Sequence, residues 1–269
     1  MIAFHAISKS FAGVRVLRDV SFAVSARHTL GLVGENGAGK STLMNILGGN
    51  LRADAGRMSL NGQPYAPRGP LDAARRGIAF IHQELNLFPN LTLAENIFLT
   101  AFPRTAGLPL INRNVMRAKA ASLLAQAGLT LSPDTPVERL SAGERQLVEI
   151  AKALSLEARL IILDEPTTSL GTREAEKLFE LMGRLRQRGL AMIYISHTLG
   201  DVLRLCDDIA VLRDGEVVAT GPRPEFTAER MISLMVGRSL NQLYPTRNRS
   251  GVSAERRHLD QEKTAALCR

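Results

Sequence analysis

Short apolar runs alternate along this chain with longer stretches of helical periodicity, the sequence form of an α/β domain around a mainly parallel sheet. Four runs matter most: residues 29–33, 77–81, 160–163 and 190–195. Each breaks at once into polar or glycine residues: Gly34 onward, His82-Gln83, Asp164-Glu165 and Ser196-His197. In open α/β sheets ligands lie beyond the carboxyl ends of the strands, so these four ends are expected to converge on one site.

The first 30 residues and residues 56–63 read as short strands with turns, an antiparallel addition beside the main sheet. Residues 209–218 hold two apolar runs joined through Asp214-Gly215, a good hairpin turn pair. Between about residues 87 and 157 the pattern turns helical, with Ala-rich stretches at 115–127 and 145–156. That region reads as a helical subdomain inserted between strands. From about Ser239 the periodicity fades into a linker-like tail. No internal repeat is present in the sequence.

Composition narrows the class. With 269 residues, 45% of them hydrophobic and 22% charged, the chain can bury a substantial core, which excludes a stapled miniprotein and a disordered chain. The 34 Lys and Arg against 26 Asp and Glu give +8, a balance that suits acidic partners such as nucleotide, nucleic acid or anionic lipid. From Arg238 to Arg269, seven basic residues (Arg238, Arg247, Arg249, Arg256, Arg257, Lys263, Arg269) face three acidic ones (Glu255, Asp260, Glu262), so +4 of the +8 lies in the tail. The two cysteines, Cys206 and Cys268, have no metal-like spacing and read as ordinary thiols of a reducing compartment. The N-terminus lacks the pattern of a secretory signal, and no run reaches the roughly 18 to 20 apolar residues that span a bilayer. Any membrane role is therefore expected to come through a partner.

The strongest motif is Gly34-Glu35-Asn36-Gly37-Ala38-Gly39-Lys40-Ser41, followed by Thr42, a full G-x-x-x-x-G-K-[ST] match between a strand and a helical segment. Glycines let the backbone curl so that successive N–H groups point at phosphate oxygens, and the helix N-terminus adds partial positive charge. Lys40 is then expected to reach the β- and γ-phosphates and the Ser41 hydroxyl to bind Mg²⁺. Asp164 and Glu165 close an apolar strand with two adjacent carboxylates. Beside a phosphate loop the first holds the Mg²⁺ shell and the second orients or deprotonates the attacking water. Gln83 and His197, ending two further strands, complete the γ-phosphate end. Ser141 and Glu144 have the S-x-x-E spacing of a capping box at the start of a helix.

Leu140-Ser141-Ala142-Gly143-Glu144-Arg145-Gln146 also resembles the Leu-Ser-Gly-Gly-Gln signature of ATP-binding cassette ATPases. From about residue 4 to 237 that family's motifs stand in order. Phe11 matches the aromatic that stacks on adenine, Gln83 the Q-loop, Asp164 and Glu165 the Walker B pair, Ser169-Leu170-Gly171 the D-loop and His197 the switch histidine. The stretch from Ile81 to Leu87, then Leu91-Thr92-Leu93-Ala94-Glu95-Asn96-Ile97-Phe98, is similar to the Q-loop region of ribose- and galactose-type bacterial sugar importers. Val148 to Leu154, Val236-Gly237-Arg238 and Tyr244-Pro245 point the same way. In that class two cassettes usually stand in tandem, and this sequence resembles the first of them with its linker.

The resemblance implies a RecA-like P-loop core, with a cassette over residues 1–237 and a basic linker-like tail over 238–269. It implies ATP and Mg²⁺ as ligands, with Lys40, Gln83, Glu165 and His197 in the chemistry and Ser41, Gln83 and Asp164 at the metal. Phe11, residues 34–42 and the segment Ser141, Ala142, Gly143 and Glu144 would bind nucleotide, the last of these on ATP held by another cassette. The implied partners are a second cassette, as a homodimer or a separate chain, membrane permease subunits and, indirectly, a periplasmic solute-binding protein. The implied place is peripheral, on the cytoplasmic face of the bacterial inner membrane, and the implied role is ATP-driven uptake of a monosaccharide or related small solute. Three departures stand out. Ala142 replaces the first signature glycine and is expected to crowd a phosphate, Glu144 adds negative charge there, and Gly171 stands where many cassettes have Asp; slow turnover is the expectation. Two other readings remain open: a cassette ATPase working on nucleic acid or the ribosome, with the tail as its contact surface, and a non-hydrolytic truncated cassette. Nucleic acid is not the partner to which the resemblance points.

Overall fold

The computed structural model describes residues 1–105 and 110–237. The chain opens with strands β1 (Ile2–Phe11), β2 (Val14–Val24) and β3 (Thr29–Val33), then helix α1 (Lys40–Leu47). Next come β4 (Ala55–Leu60), β5 (Gln63–Tyr65), α2 (Pro70–Arg75) and β6 (Ile78–Ile81). Three helices follow, α3 (Leu93–Ile97), α4 (Arg113–Gln126) and α5 (Ala142–Ser155). The chain then returns to the sheet through β7 (Leu160–Asp164), α6 (Thr172–Gln187), β8 (Ala191–Ile195), α7 (Leu199–Leu205), β9 (Asp208–Arg213), β10 (Glu216–Pro222) and α8 (Ala228–Val236).

The main sheet has the order β10-β9-β3-β8-β7-β6, in which β9, β3, β8, β7 and β6 are parallel and β10 is the antiparallel edge. Its apolar runs are buried on both faces, and the period of two sends alternate residues to different cores. Ile161, Leu163, Met192 and Tyr194 pack with α4, α5 and α6, whereas Leu160, Ile162, Ala191 and Ile193 pack with α1 and the antiparallel strands. The four strand ends noted in the sequence belong to β3, β8, β7 and β6, which are consecutive neighbours.

A second sheet of order β2-β1-β4-β5 is wholly antiparallel. Its first two strands are longer than the expected short ones, at 10 and 11 residues. Register shifts along β1, with Ala6 and Asp19 at φ of 50° and 49°, bend the pair without breaking it, which is how a bulged hairpin stays continuous over such a length. The Asp214-Gly215 pair joins β9 to β10 with both residues at positive φ, 49° and 82°, the geometry that matches strand twist in a tight hairpin.

Within residues 87–157, α3 begins at a full capping box of Thr92 and Glu95. Its Asn96 is fully buried and ties down the preceding loop. The side chain accepts from the Phe88 N–H at 2.7 Å and donates to the carbonyls of Phe88, Leu91 and Thr92. Replacing Asn96→Ala strands these backbone groups, so a loss of about 2 kcal/mol in urea unfolding is expected.

Cys206 is buried and burial pushes its thiol up, in keeping with an ordinary inert thiol. Among the described residues no helix is long and apolar enough to cross a membrane. The tail assigned to 238–269, including Tyr244, Pro245 and Cys268, lies outside the described residues.

Candidate functional site

The loop between β3 and α1 is built by close packing. Gly34 is buried, and a Cβ there would stand 2.3 Å from the Leu212 carbonyl oxygen of β9. The Gly215 N–H donates to the Ala38 carbonyl at 3.1 Å, while the Arg18 N–H donates to Gly215 at 2.8 Å, so the β9–β10 turn clamps the loop from outside. Lys40 folds back, with its ammonium donating to the carbonyls of Gly34 at 2.8 Å and Glu35 at 3.0 Å. Burial holds the Lys40 ammonium below its usual range, and the nearby charges of Glu165 and Asp164 pull the other way.

Asn36, Gly37, Gly39, Lys40, Ser41, Thr42, Gln83, Asp164 and Glu165 line one pocket of about 300 Å³, together with Val16. Asp164 ends β7 in register with Ile195, and burial first and Glu165 second raise its carboxyl above the usual range. Glu165 turns out of the strand at φ 48°, with its N–H donating to Ile195 at 2.9 Å. A left-handed Glu carries backbone strain, retained where the surroundings fix it. Its Oε2 lies 2.8 Å from His197 Nδ1 and accepts from the Thr168 hydroxyl at 3.1 Å.

Ser41, Gln83 and Asp164 offer oxygen donors in the same pocket as the Glu165 carboxylate, a donor set that suits Mg²⁺. Among the described residues no three His, Cys, Asp or Glu side chains cluster to hold a metal by themselves. A cation held by these three residues would need further ligands from phosphate or water.

The signature segment lies at a different place. Ser141 caps α5: its hydroxyl accepts from the Glu144 N–H at 3.2 Å, and its own N–H donates to Glu144 Oε2 at 2.9 Å. The Glu144 carboxylate is thus engaged in the cap. Ala142 is exposed, whereas Gly143 is buried against Glu174, whose carboxyl carbon a Cβ would meet at 2.6 Å. Ser141, Gly143 and Glu144 line a separate cavity of about 320 Å³, and within one chain they do not reach the phosphate pocket. Phe11, at the end of β1, is 43% exposed with the Lys9 ammonium 5.4 Å from its ring centre. It does not line the phosphate pocket, a position that Val16 takes.

The ABC transporter family model matches residues 17–168, more than half of the sequence. The chain belongs to the ABC transporter family. Among its relatives, the arabinose import ATP-binding protein of Rhizobium meliloti is 45% identical over 250 residues, covering 93% of this chain and 49% of that one. The ribose import ATP-binding protein RbsA 1 of Burkholderia cenocepacia is 46% identical over 247 residues, covering 91% and 48%. The chain spans about half the length of the curated relatives that it matches. A nucleotide-free ATP-binding cassette from an ABC transporter superposes with a TM-score of 0.75 at 27% identity, covering 88% of this chain and 95% of that one. A bacterial ABC transporter cassette solved as a dimer does so at 0.70 and 26%, covering 83% and 99%. The P-loop α/β fold of this ABC cassette is that of these neighbours.

Several residues of this ABC cassette site were not singled out from the sequence. Thr168, bonded to Glu165, follows it by one turn, a proximity that spacing alone does not flag. His82, named in the sequence only as part of a strand end and given no role, stacks on Phe80 at 3.9 Å between ring centres and faces Asp164 and Glu149. Glu174 was visible only as a residue three beyond Gly171, the spacing of a helix cap.

Proposed function

We propose that this chain is the ATP-binding subunit of a bacterial ABC importer, hydrolysing ATP to drive uptake of a monosaccharide or related small solute. One observation carries the ATPase reading: the phosphate loop, Gln83, Asp164 and Glu165 share one pocket, with His197 bonded to Glu165. The importer reading rests on likeness to the arabinose and ribose import proteins. In this reading residues 1–237 form the cassette and 238–269 a linker.

Lys40 exchanges its two carbonyl partners for β- and γ-phosphate oxygens, while Ser41, Asp164 and Gln83 hold Mg²⁺. An ion held by these residues would supply charge neutralisation on the phosphates. His197 and Thr168 both engage Glu165 Oε2, which leaves Oε1 to accept a proton from the attacking water. Phe11 supplies an exposed ring for adenine. Because Ser141, Ala142, Gly143 and Glu144 lie away from the pocket, they serve ATP held by a second cassette, either another copy or a separate chain. A groove of about 340 Å³ between α2, β6 and α5, lined by Pro70, Phe80, His82, Asn86 and Lys152 among others, offers a seat for permease subunits beside Gln83. A periplasmic solute-binding protein acts only through that permease. The chain thus works peripherally at the cytoplasmic face of the inner membrane, without nucleic acid as a partner.

Deleting the gene and measuring uptake of labelled pentoses and hexoses tests the proposal. Loss of uptake of at least one sugar is expected, restored by the wild-type gene and not by Glu165→Gln. Unchanged uptake of every sugar tested refutes the importer role.

A further inference from the structure

We propose that Glu174 is a positioning residue that occupies the signature segment's hydrogen-bond donors and must be displaced before ATP on a second cassette can engage them. The proposal rests on the reading that Ser141 to Glu144 cap a nucleotide held in trans. Glu174 lies on α6, yet its Oε1 accepts the Ser141 hydroxyl proton at 3.0 Å. Its other oxygen accepts from the Gly171 N–H at 3.2 Å, and the buried Gly143 packs against the same carboxylate, so closely that a Cβ there would stand 2.6 Å from Oε1. The backbone bond from Gly171 first, then the bond from Ser141, hold this carboxyl below the usual range, so it is ionised at neutral pH.

The conflict is one of counting. A serine hydroxyl has a single proton, and here it points at Glu174 while the oxygen's lone pair takes the Glu144 N–H. An incoming phosphate oxygen needs that same proton and the same helix N-terminus. A carboxylate and a phosphate also repel at such range, so one must leave. Lys177, one turn along α6, favours the ionised form of Glu174, while Glu144 adds negative charge on the facing helix. Displacing Glu174 frees the Gly171 N–H as well, at the end of the segment 165–171 that starts with the hydrolytic carboxylate. Engagement of the signature is thereby tied to the loop that follows Glu165.

The test uses the full chain carrying Glu165→Gln, so that ATP is bound without turnover, and light scattering to find the ATP concentration at half-maximal association. Adding Glu174→Ala is expected to lower that concentration about tenfold, the worth of one charged hydrogen bond. Adding Glu174→Gln, which keeps one acceptor oxygen, for either Ser141 or Gly171, and turns the other into an uncharged amide donor, lowers it less. With Glu165 intact, Glu174→Gln lowers KM for ATP without raising kcat, a split that loss of a helix cap alone does not produce. A midpoint unchanged or raised in both variants overturns the proposal. If the chain does not pair with itself, the amide shift of Gly143 on titration with inorganic tripolyphosphate decides instead: a response in Glu174→Ala but not in the parent supports it, and silence in both overturns it. Uptake and ATPase measurements on wild-type chain do not depend on this outcome, so the importer reading and this one fail separately.

Discussion

Glu165→Gln lowers kcat for Mg-dependent ATP hydrolysis by about 10²–10⁴-fold, the usual worth of a positioned general base, while ATP binding persists. The amide keeps the size of the carboxylate and can still bond to Thr168, so the left-handed turn and the strand end survive. What it loses is the basic oxygen: Oε2 is engaged by His197 and Thr168, which leaves Oε1 as the proposed proton acceptor, and a neutral amide cannot take a proton from water. Binding is expected to depend instead on Lys40, Ser41 and the loop backbone, which line the pocket and which the substitution leaves in place. Steady-state phosphate release together with a fluorescent-nucleotide titration separates the two quantities. A variant that retains more than a tenth of wild-type kcat would show that Glu165 is not the base.

Gly34→Ala is expected to cost about 3 kcal/mol and to lower the melting temperature by about 6–10 °C, although it adds one methyl group. The new Cβ would stand 2.3 Å from the Leu212 carbonyl oxygen and 3.2 Å from the Ala38 Cβ. Neither neighbour is a flexible side-chain end, since Leu212 belongs to β9, which pairs on both sides. Relief must come from moving the phosphate loop, which also misplaces the carbonyl that Lys40 uses, so nucleotide affinity falls with stability. Gly37→Ala is the contrast. No atom lies within 4 Å of a Cβ there, and only its φ of 83° opposes the change, so the expected cost is about 1 kcal/mol. Thermal melts of the two variants check the ranking; equal costs would mean that backbone conformation, rather than the approach of β9, governs the loop.

Much of the architecture was legible along the chain because its signals are local. The four apolar runs carry their own strand signal, and the polar residue ending each one is read directly. The Asp214-Gly215 turn and the Ser141 and Glu144 cap are likewise set by residues three or fewer positions apart. The first hairpin was misjudged in length because Ala6 and Asp19 interrupt the alternation, and only pairing with β4 and between β1 and β2 shows that the strands continue through the bulges.

By itself the sequence determined the phosphate-loop motif, the carboxylate pair and the Ser141–Glu144 helix cap, since each depends on the order of neighbouring residues and on backbone chemistry. Tertiary structure alone decided the rest. It set β3, β8, β7 and β6 side by side, so that residues more than a hundred positions apart share one pocket. It brought Leu212 against Gly34, His197 onto Glu165 and Glu174 onto Ser141. These pairs come from different strands and helices, and packing of the two cores fixes their separation, a constraint that no local pattern of residues encodes.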